Sequence, residues 1–239
     1  MVLIAQAACR NILVRSLSEA DFALVQPHLS RIAMEKDDVV AVAEARIGTL
    51  CFPEAGVVSF ADRLADGSSV GIGREGVTGW PALLDCDRSP HEATVAVGGG
   101  TALRIGREEL LLACAKSPAL AKLLLRFVHA FAIQLGRTIV SNLTDPIERR
   151  LSRWLLMNHD RLEGVDIALT HEQIGVMLGV RRASVTDALH ILEGERAIHC
   201  KRASINVRDR GRLRAIAGET YGFAEAEYGR LIAPFGKDS

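Results

Sequence analysis

Short runs of apolar residues, separated by turn residues, fill the chain from about residue 37 to 105. Several of these runs are rich in Val and Ile, as in "DVVAVA" and "GVVSFADRL". Such close and regular spacing is typical of an antiparallel sandwich or barrel of short strands. The preceding segment, residues 16–29, places apolar residues near helical spacing and predicts a short amphipathic helix that is broken at Pro27.

A helical period of apolar residues begins at Pro118 and continues to Asn142. A helix of about 25 residues is roughly 37 Å long, which is more than one small domain needs. One side can pack on the predicted sandwich while another meets a second copy of the chain in a coiled-coil-like seam. We therefore expect a homodimer, with a helix that packs only within its own chain as the alternative. The expected interface residues are Leu120, Leu124, Phe127, Phe131 and Gln134.

Two helix-sized patterns follow in "LTHEQIGVMLGVRRASVTDALHILEGERAI", residues 169–198. Thr170 and Gln173 form a capping-box pattern that starts the first helix, and Gly179 is suited to end it. This is the anatomy of a helix-turn-helix, whose second helix enters the major groove with its N-terminal part. The outward side chains that we expect to contact DNA are Thr170, Arg181, Arg182, Ser184, Thr186 and Asp187.

The next stretch, "AIHCKRASINVRD", predicts two short strands at residues 197–200 and 204–207. Lys201 and Arg202 would lie at the tip of this hairpin, where they can meet phosphate oxygens. The two helices and this hairpin together predict a winged helix-turn-helix. The alternative is a solvated helical hairpin whose cations face only water.

The chain of 239 residues has no net charge, but its charges are unevenly distributed. Residues 146–216 hold 13 Lys and Arg against 9 Asp and Glu, whereas residues 1–145 hold 14 against 16. A positive excess confined to one segment fits a small nucleic-acid-binding domain joined to a neutral domain.

Enzymatic chemistry finds little support in the sequence. There is no G-x-S-x-G, P-loop or H-E-x-x-H motif, and the seven histidines are dispersed without the spacing of metal ligands. The five cysteines are scattered, which argues against a disulfide framework and fits a reducing cytoplasm. No apolar run approaches the roughly 20 residues that cross a bilayer. We expect a cytoplasmic protein that is not an enzyme, has no metal site and does not bind membranes.

A glycine-rich stretch, "GREGVTGWPALLDCDRSPHEATVAV", stands apart within the strand region. Gly76 and Gly79 would let the backbone approach a ligand, and Arg88 and Ser89 could hold an anion. These four residues form a candidate effector site. The alternative is a glycine-rich hairpin with a surface arginine.

The chain resembles the Crp/Fnr family of bacterial transcription regulators from about residue 12 to 214, most strongly in "LTHEQIGVMLGVRRASVTDALHILEGERAI" and in "FPEAGVVSF". The resemblance implies an α+β fold: an N-terminal antiparallel β-roll, cupin-like and similar to cyclic-nucleotide-binding domains, joined by a long dimerisation helix to a C-terminal winged helix-turn-helix. It also implies a sensor role for the β-roll and a palindromic DNA operator read by a homodimer. RNA polymerase and a small anionic effector are further candidate partners.

Two departures from the family's pattern change the expected ligands. In cyclic-nucleotide-binding members a glutamate holds the ribose, but here "GVTG" places Val77 at that position, although Arg88 and Ser89 are present. Loss of that acceptor would cost about 1–3 kcal/mol, so cyclic AMP is disfavoured. No cysteine cluster supports an iron–sulfur centre, while Cys86 or His91 could serve as a haem ligand. The sequence therefore does not identify a cofactor.

The recognition helix departs from the pattern as well. Ala183 stands where the best-known members place a base-contacting glutamate, and Asp187 replaces a common arginine, whereas Arg182 is retained. The operator should therefore differ from that of the cyclic-AMP-responsive members.

The sequence divides into four parts. These are a sensor domain with a short N-terminal helix at 1–117, the long helix at 118–144, the winged helix-turn-helix at 145–216 and a tail at 217–239. We predict a homodimeric, sequence-specific DNA-binding transcription regulator that responds to a signal at the β-roll. The alternative is a nucleotide-sensing module that binds protein rather than DNA.

Overall fold

Two antiparallel sheets form the N-terminal part of the chain in a computed structural model that describes residues 3–61 and 69–237. One sheet has the strand order β1-β7-β3 and the other β2-β6-β4-β5. The strands are β1 (Ser30–Met34), β2 (Val39–Ala41), β3 (Thr49–Pro53), β4 (Val57–Ala61), β5 (Ser69–Ile72), β6 (Glu92–Val97) and β7 (Gly100–Gly106). Their inner faces bury Leu50, Val58, Val95 and Leu103 completely. The short apolar runs are antiparallel strands, as their spacing predicted, and the β-roll that the family resemblance implied is confirmed.

Two short helices precede this roll, and a third follows it. Ser18 caps the helix that was expected near residue 16, and a turn of 3-10 helix containing Pro27 ends it. These helices are α1 (Ile12–Arg15), α2 (Glu19–Val25) and α3 (Arg107–Lys116). The sequence patterns did not separate α3 from the strands.

The long helix α4 (Pro118–Thr144) covers the range expected for it. Ser117 caps its first turn, and Pro118 occupies a first-turn position where a missing amide costs nothing. Within the described residues, α4 is the one helix that is long and apolar enough to cross a membrane. The sequence analysis did not identify it as such because polar residues interrupt its apolar runs. Here one face of α4 is buried against the β-roll instead.

The C-terminal region is a helical domain with a small three-stranded sheet of order β8-β10-β9. Its elements are α5 (Ile147–Arg161), β8 (Asp166–Ile167), α6 (His171–Leu178), α7 (Arg182–Gly194), β9 (Ile198–Lys201), β10 (Ser204–Val207) and α8 (Arg210–Ala217). Its core includes Leu151, Leu155, Ile174, Val185 and Leu189, each fully buried. The expected winged helix-turn-helix is confirmed.

The last segment is packed against the rest of the chain rather than trailing from it as a tail. Its helix α9 (Phe223–Leu231) lies along α4, and Tyr228 is 3 % exposed. The Tyr228 hydroxyl donates to the backbone oxygen of Glu75 in the roll at 2.9 Å. The C-terminal segment therefore returns from the winged domain to the β-roll.

Candidate functional site

The turn between α6 and α7 is shaped by local chemistry. Thr170 and Gln173 complete the expected capping box at the start of α6, and Gly179 ends that helix with φ +63°. A side chain at Gly175 would place its Cβ 2.8 Å from the Val180 oxygen, so this position leaves no space for one. These contacts fix how closely the turn lies against α6.

Helix α5 also contacts the turn between α6 and α7, through Arg150. The Arg150 guanidinium donates to the Leu178 oxygen at 2.5 Å and to the Asn142 side chain at 3.1 Å. Burial lowers the pKa of Arg150 from its ordinary value. The end of α4, the start of α5 and the end of α6 are thereby joined through one side chain.

The N-terminal part of α7 presents its cations to solvent. Arg181 and Arg182 are exposed, as is Asp187, and Ser184 is half-buried. Within the described ranges neither arginine has a carboxylate within ion-pair distance. Two adjacent cations at a helix N-terminus oppose the helix dipole slightly, a cost that an external anion would offset. This surface is free to accept one.

Thr186 has a structural contact that the sequence did not reveal. Its hydroxyl donates to the Arg182 oxygen at 3.1 Å and lies 2.9 Å from His171 Nδ1 at the start of α6. The helix-turn-helix angle is thereby braced by a side-chain pair 15 residues apart. His190, which the sequence analysis also left out, is exposed three residues after Asp187 and shares its helical face.

The wing is a two-residue hairpin between β9 and β10. Lys201 is the last residue of β9 and pairs with Ser204, so the turn consists of Arg202 and Ala203. Arg202 is exposed, while the Lys201 ammonium lies 3.8 Å from the Asp166 carboxylate. Of the two expected phosphate contacts, Arg202 has the freer side chain.

The residues expected at the dimer interface all lie inside one protomer, which corrects that prediction. Leu120, Leu124, Phe127, Phe131 and Gln134 are each at most 6 % exposed. The four apolar side chains belong to the core of the β-roll. Gln134 instead donates to the Gly71 oxygen at 2.8 Å and accepts from Arg161 at the same distance. This face of α4 cannot contact a second copy while the fold is intact.

The candidate effector residues do not form an open anion cradle. A Cβ at Gly76 would lie 2.8 Å from the side chain of Ile72, and Gly79 is buried beside Leu50. The exposed Arg88 donates to the Glu44 oxygen at 2.7 Å. The Ser89 hydroxyl donates to the His91 oxygen, also at 2.7 Å. One Arg88 donor and the Ser89 hydroxyl are thus used by backbone carbonyls, while the other donors of the exposed Arg88 guanidinium are not, and the effector site stays a prediction.

Bulky side chains occupy the neighbouring interior of the roll. Val77, at the position of the missing glutamate, is fully buried. The ring of Phe131 lies 5.5 Å from Phe60 and 5.7 Å from Trp80, between centroids. The interior is thus filled with apolar contacts where a polar ligand would need hydrogen-bonding groups.

The cysteines give no support to a thiolate centre. The part of the chain that the structure describes contains no cluster of three His, Cys, Asp or Glu side chains able to hold a metal ion. Burial raises the pKa of the Cys114 thiol to about 11, and burial together with Glu193 raises the pKa of Cys200 to about 11. Such thiols stay protonated at neutral pH, which disfavours metal binding.

A family model described as a Crp-like helix-turn-helix domain matches residues 149–216. No protein of curated function matches the chain. Among solved structures, FixK2 from Bradyrhizobium japonicum is 17 % identical, with a TM-score of 0.65 over 79 % of this chain and 96 % of that one. The c-di-GMP responsive global regulator CLP from Xanthomonas campestris is 16 % identical, with a TM-score of 0.59 over 80 % and 99 %. A transcriptional regulator of the CRP family from Thermus thermophilus is 20 % identical, with a TM-score of 0.58 over 80 % and 97 %.

Proposed function

We propose that the chain is a homodimeric transcription regulator of the Crp/Fnr family that binds a palindromic DNA operator, because residues 149–216 match a Crp-like helix-turn-helix model and the fold is similar to that of such regulators. The observation that carries this proposal is the exposed start of α7, where Arg181 and Arg182 have no carboxylate partner among the described residues. The rest of that helix is anchored by Val185, Leu189 and Leu192, each fully buried. A rigid helix with free cations at its outer end is what major-groove binding requires.

The outer face of α7 supplies the groups that read base edges. Arg182 can donate two hydrogen bonds to O6 and N7 of guanine, and the Asp187 carboxylate can accept from the amino group of cytosine. Ser184 and His190 lie on the same half of the helix surface. Arg202 at the wing tip would contact a phosphate, which positions the helix without reading sequence.

The dimer is proposed to form through the other side of α4. A set of exposed positions follows the alternating four- and three-residue spacing of a coiled-coil seam, and we call it the α4 stripe. It consists of Lys122, Leu125, His129, Ala132, Gly136, Ile139 and Leu143. Leu143 is 80 % exposed and Ile139 is 60 % exposed, which is unfavourable for apolar side chains in an isolated protomer.

The composition of the α4 stripe suits a second copy of the same helix. Gly136 has open space above it, and the adjacent Ala132 is small, so two helices can approach closely there. A 27-residue helix is about 40 Å long and presents the stripe along most of its length. The operator of such a dimer should have two half-sites about 34–36 Å apart, one for each copy of α7.

Regulation, location and further partners are also part of the proposal. A regulator of this kind would act in the cytoplasm, contact RNA polymerase and have no enzymatic activity. What supports this part of the proposal is a fold shared with transcriptional regulators over 79–80 % of the chain.

The decisive experiment is selection from a pool of randomised DNA duplexes. We expect enrichment of a sequence with two inverted half-sites separated by about one helical turn. The affinity for that sequence should fall steeply as salt is raised from about 50 to 200 mM, because released counterions drive binding. A pool that shows no enrichment, with weak binding at both salt concentrations, would favour a protein-binding module instead.

A further inference from the structure

A cavity of about 390 Å³ opens between the first and the last segments of the described chain. Its charged lining comes from Arg10 and Arg15 on the N-terminal segment and from Arg74 in the loop after β5. Its apolar wall is built by Ile12 and by the C-terminal Phe235. We call this cavity the arginine cleft. Its volume lies within the range of about 300–1,000 Å³ that holds small organic ligands.

The positive charge of the arginine cleft is only partly neutralised. Arg10 has a carboxylate partner, Glu163, at 3.2 Å, and both side chains are about 60 % exposed. Within the part of the chain that the structure describes, Arg15 and Arg74 have no carboxylate within ion-pair distance. Two cations without a carboxylate partner therefore line one small cavity, which gives it a positive potential that attracts anions.

Arg74 is half-buried, whereas Arg10 and Arg15 are exposed. Its Nε atom is buried and has no hydrogen-bond partner among the described residues. Its backbone is fixed, since the Arg74 oxygen accepts from the Ile12 amide at 2.7 Å. Because that Nε is enclosed by the protein, a ligand in the cleft would be bound through the terminal nitrogens of the Arg74 guanidinium.

We propose that the arginine cleft binds the phosphate group of a small phosphorylated organic molecule. Arginine presents a planar fork of donors that matches phosphate oxygens, and two uncompensated arginines balance a phosphate dianion. The wall of Ile12, Pro234 and Phe235 contacts the organic part, which inorganic phosphate lacks. Arg88 and Ser89 take no part in this site.

The cleft is connected to the DNA-binding domain through its own wall. The ring of Phe235 lies 5.4 Å from the guanidinium carbon of Arg161, which is on α5. The backbone amide of Lys237, two residues later, donates to Asp160 on the same helix at 3.1 Å. A ligand that contacts residues 233–236 would therefore act on α5, the helix that supports the recognition turn. This consequence for DNA binding rests on the proposed function, whereas ligand binding does not.

Isothermal titration with phenyl phosphate, inorganic phosphate and uncharged phenol tests the site directly. Phenyl phosphate should bind more tightly than inorganic phosphate, and phenol should not bind. The Arg15→Gln/Arg74→Gln variant should weaken phenyl phosphate binding by about tenfold or more, since two charge-assisted contacts are lost. Arg46→Gln is the matched control, because Arg46 is exposed and lies outside the cleft. Equal melting temperatures would show that all three proteins fold alike.

Three outcomes would overturn the proposal: no binding of phenyl phosphate, equal binding in the double variant, or equal binding of phenol.

Measurements of DNA affinity distinguish a site for a free ligand from a site for a phosphate of the DNA backbone. If the double variant loses affinity for every duplex while phenyl phosphate fails to bind, the cleft contacts the DNA backbone instead. Binding of phenyl phosphate by a protein that binds no DNA would refute the proposed function and leave this site standing. If the protein binds both phenyl phosphate and its operator, saturating phenyl phosphate should change the operator affinity by about fivefold or more.

Discussion

Arg182 and Arg202 are exposed cations of one domain, but they project from elements with different proposed roles. Arg182 begins a helix whose buried side fixes its direction, so its fork can be aimed at one base. Arg202 lies in a hairpin turn beside Ala203, which has a φ of +53°. A turn cation of this kind is suited to a phosphate oxygen rather than a base edge.

We predict that Arg182→Ala weakens operator binding by about 1–3 kcal/mol and relaxes base choice at one position in each half-site. Arg202→Ala should weaken binding to all duplexes similarly and reduce the salt dependence by about one unit. Fluorescence anisotropy with the operator and with single-base variants distinguishes the two. An unchanged base preference for Arg182→Ala would remove it as a base reader.

Glu54 shows how one buried carboxylate makes the β-roll sensitive to acid. Burial alone would raise its pKa, but hydrogen bonds outweigh burial and hold the pKa below the ordinary 4.5. They come from Arg31 at 2.6 Å, from the Arg10 amide at 2.9 Å and from Thr101 at 3.0 Å. A carboxyl group with a lowered folded-state pKa stabilises the fold above its unfolded pKa and loses that contribution as the pH falls through the folded value.

Glu54→Gln should therefore reduce the free energy of unfolding by about 1–3 kcal/mol at pH 7. Below pH 4.5 the difference from the wild type should shrink, because the wild-type carboxyl also becomes protonated. Urea denaturation at neutral pH and at a pH well below 4.5 measures both. A difference that is the same at the two pH values would mean that packing, not charge, explains the loss.

At the scale of elements, the turn of the helix-turn-helix depends on two glycines with different roles. Gly179 adopts a left-handed conformation. Gly175 is helical, and a glycine is needed there because the turn leaves no space for a side chain. A methyl group at Gly175 would meet the backbone oxygen of Val180, which cannot move without displacing the turn. The start of α7 follows directly from that turn.

Gly175→Ala is expected to cost about 1–3 kcal/mol of stability through overpacking and to weaken DNA binding. Gly194→Ala, in the last turn of α7, is the matched control because nothing lies within 4 Å of its added carbon. That control should be neutral or stabilising by up to about 1 kcal/mol. Thermal melts and operator titrations test the pair, and equal behaviour of the two variants would contradict the packing argument.

Helix α4 carries a separate prediction about assembly. Ile139→Glu places a charge in the α4 stripe of both copies, so the dimer dissociation constant should rise about tenfold or more. Leu112→Glu is the control, since Leu112 is 63 % exposed on α3, outside the stripe. Sedimentation velocity measures both. A wild type that is monomeric at micromolar concentration would refute the proposed seam.

The sequence predicted where helices and strands lie along the chain better than it predicted which side of a helix is buried. The range of α4 and the capping box at Thr170 follow from residues within one or two turns of each other, so local patterns suffice. The seam residues were wrong because α4 has two apolar faces, and periodicity does not tell which one its own roll covers. The larger side chains, such as Phe127 and Phe131, bury more area and occupy the intrachain core. The arginine cleft escaped notice because it joins the two ends of the chain, which are far apart in sequence.

The whole molecule is held together by a buried ionic contact among its three parts. Arg161 on α5 is 2 % exposed and donates to Glu75 of the roll at 2.8 Å and to Gln134 of α4 at 2.8 Å. It also donates to the Met157 oxygen at 2.7 Å. The C-terminal Tyr228 and Phe235 cover this cluster. The β-roll, the long helix and the winged helix-turn-helix domain therefore share one desolvated charge pair.

Arg161→Met should destabilise the chain by about 3–5 kcal/mol, because it leaves the Glu75 carboxylate buried without a cation. Adding Glu75→Gln should recover part of that loss, since the uncompensated charge is then removed. Arg212→Met is the surface control: its pair with Glu195 is half-exposed, so the expected cost is below about 1 kcal/mol. Denaturant titrations compare the three, and a double variant less stable than Arg161→Met would contradict the charge argument.

The most direct test of DNA recognition is protection of guanine N7 from dimethyl sulfate on the selected duplex, because N7 lies in the major groove. We expect two sets of protected guanines, one in each half-site and about one helical turn apart. Arg182→Ala should lose one protected guanine per half-site at saturating protein and keep the others. A duplex that is bound without any guanine protection, or with the same protection in Arg182→Ala, would contradict insertion of α7 into the major groove.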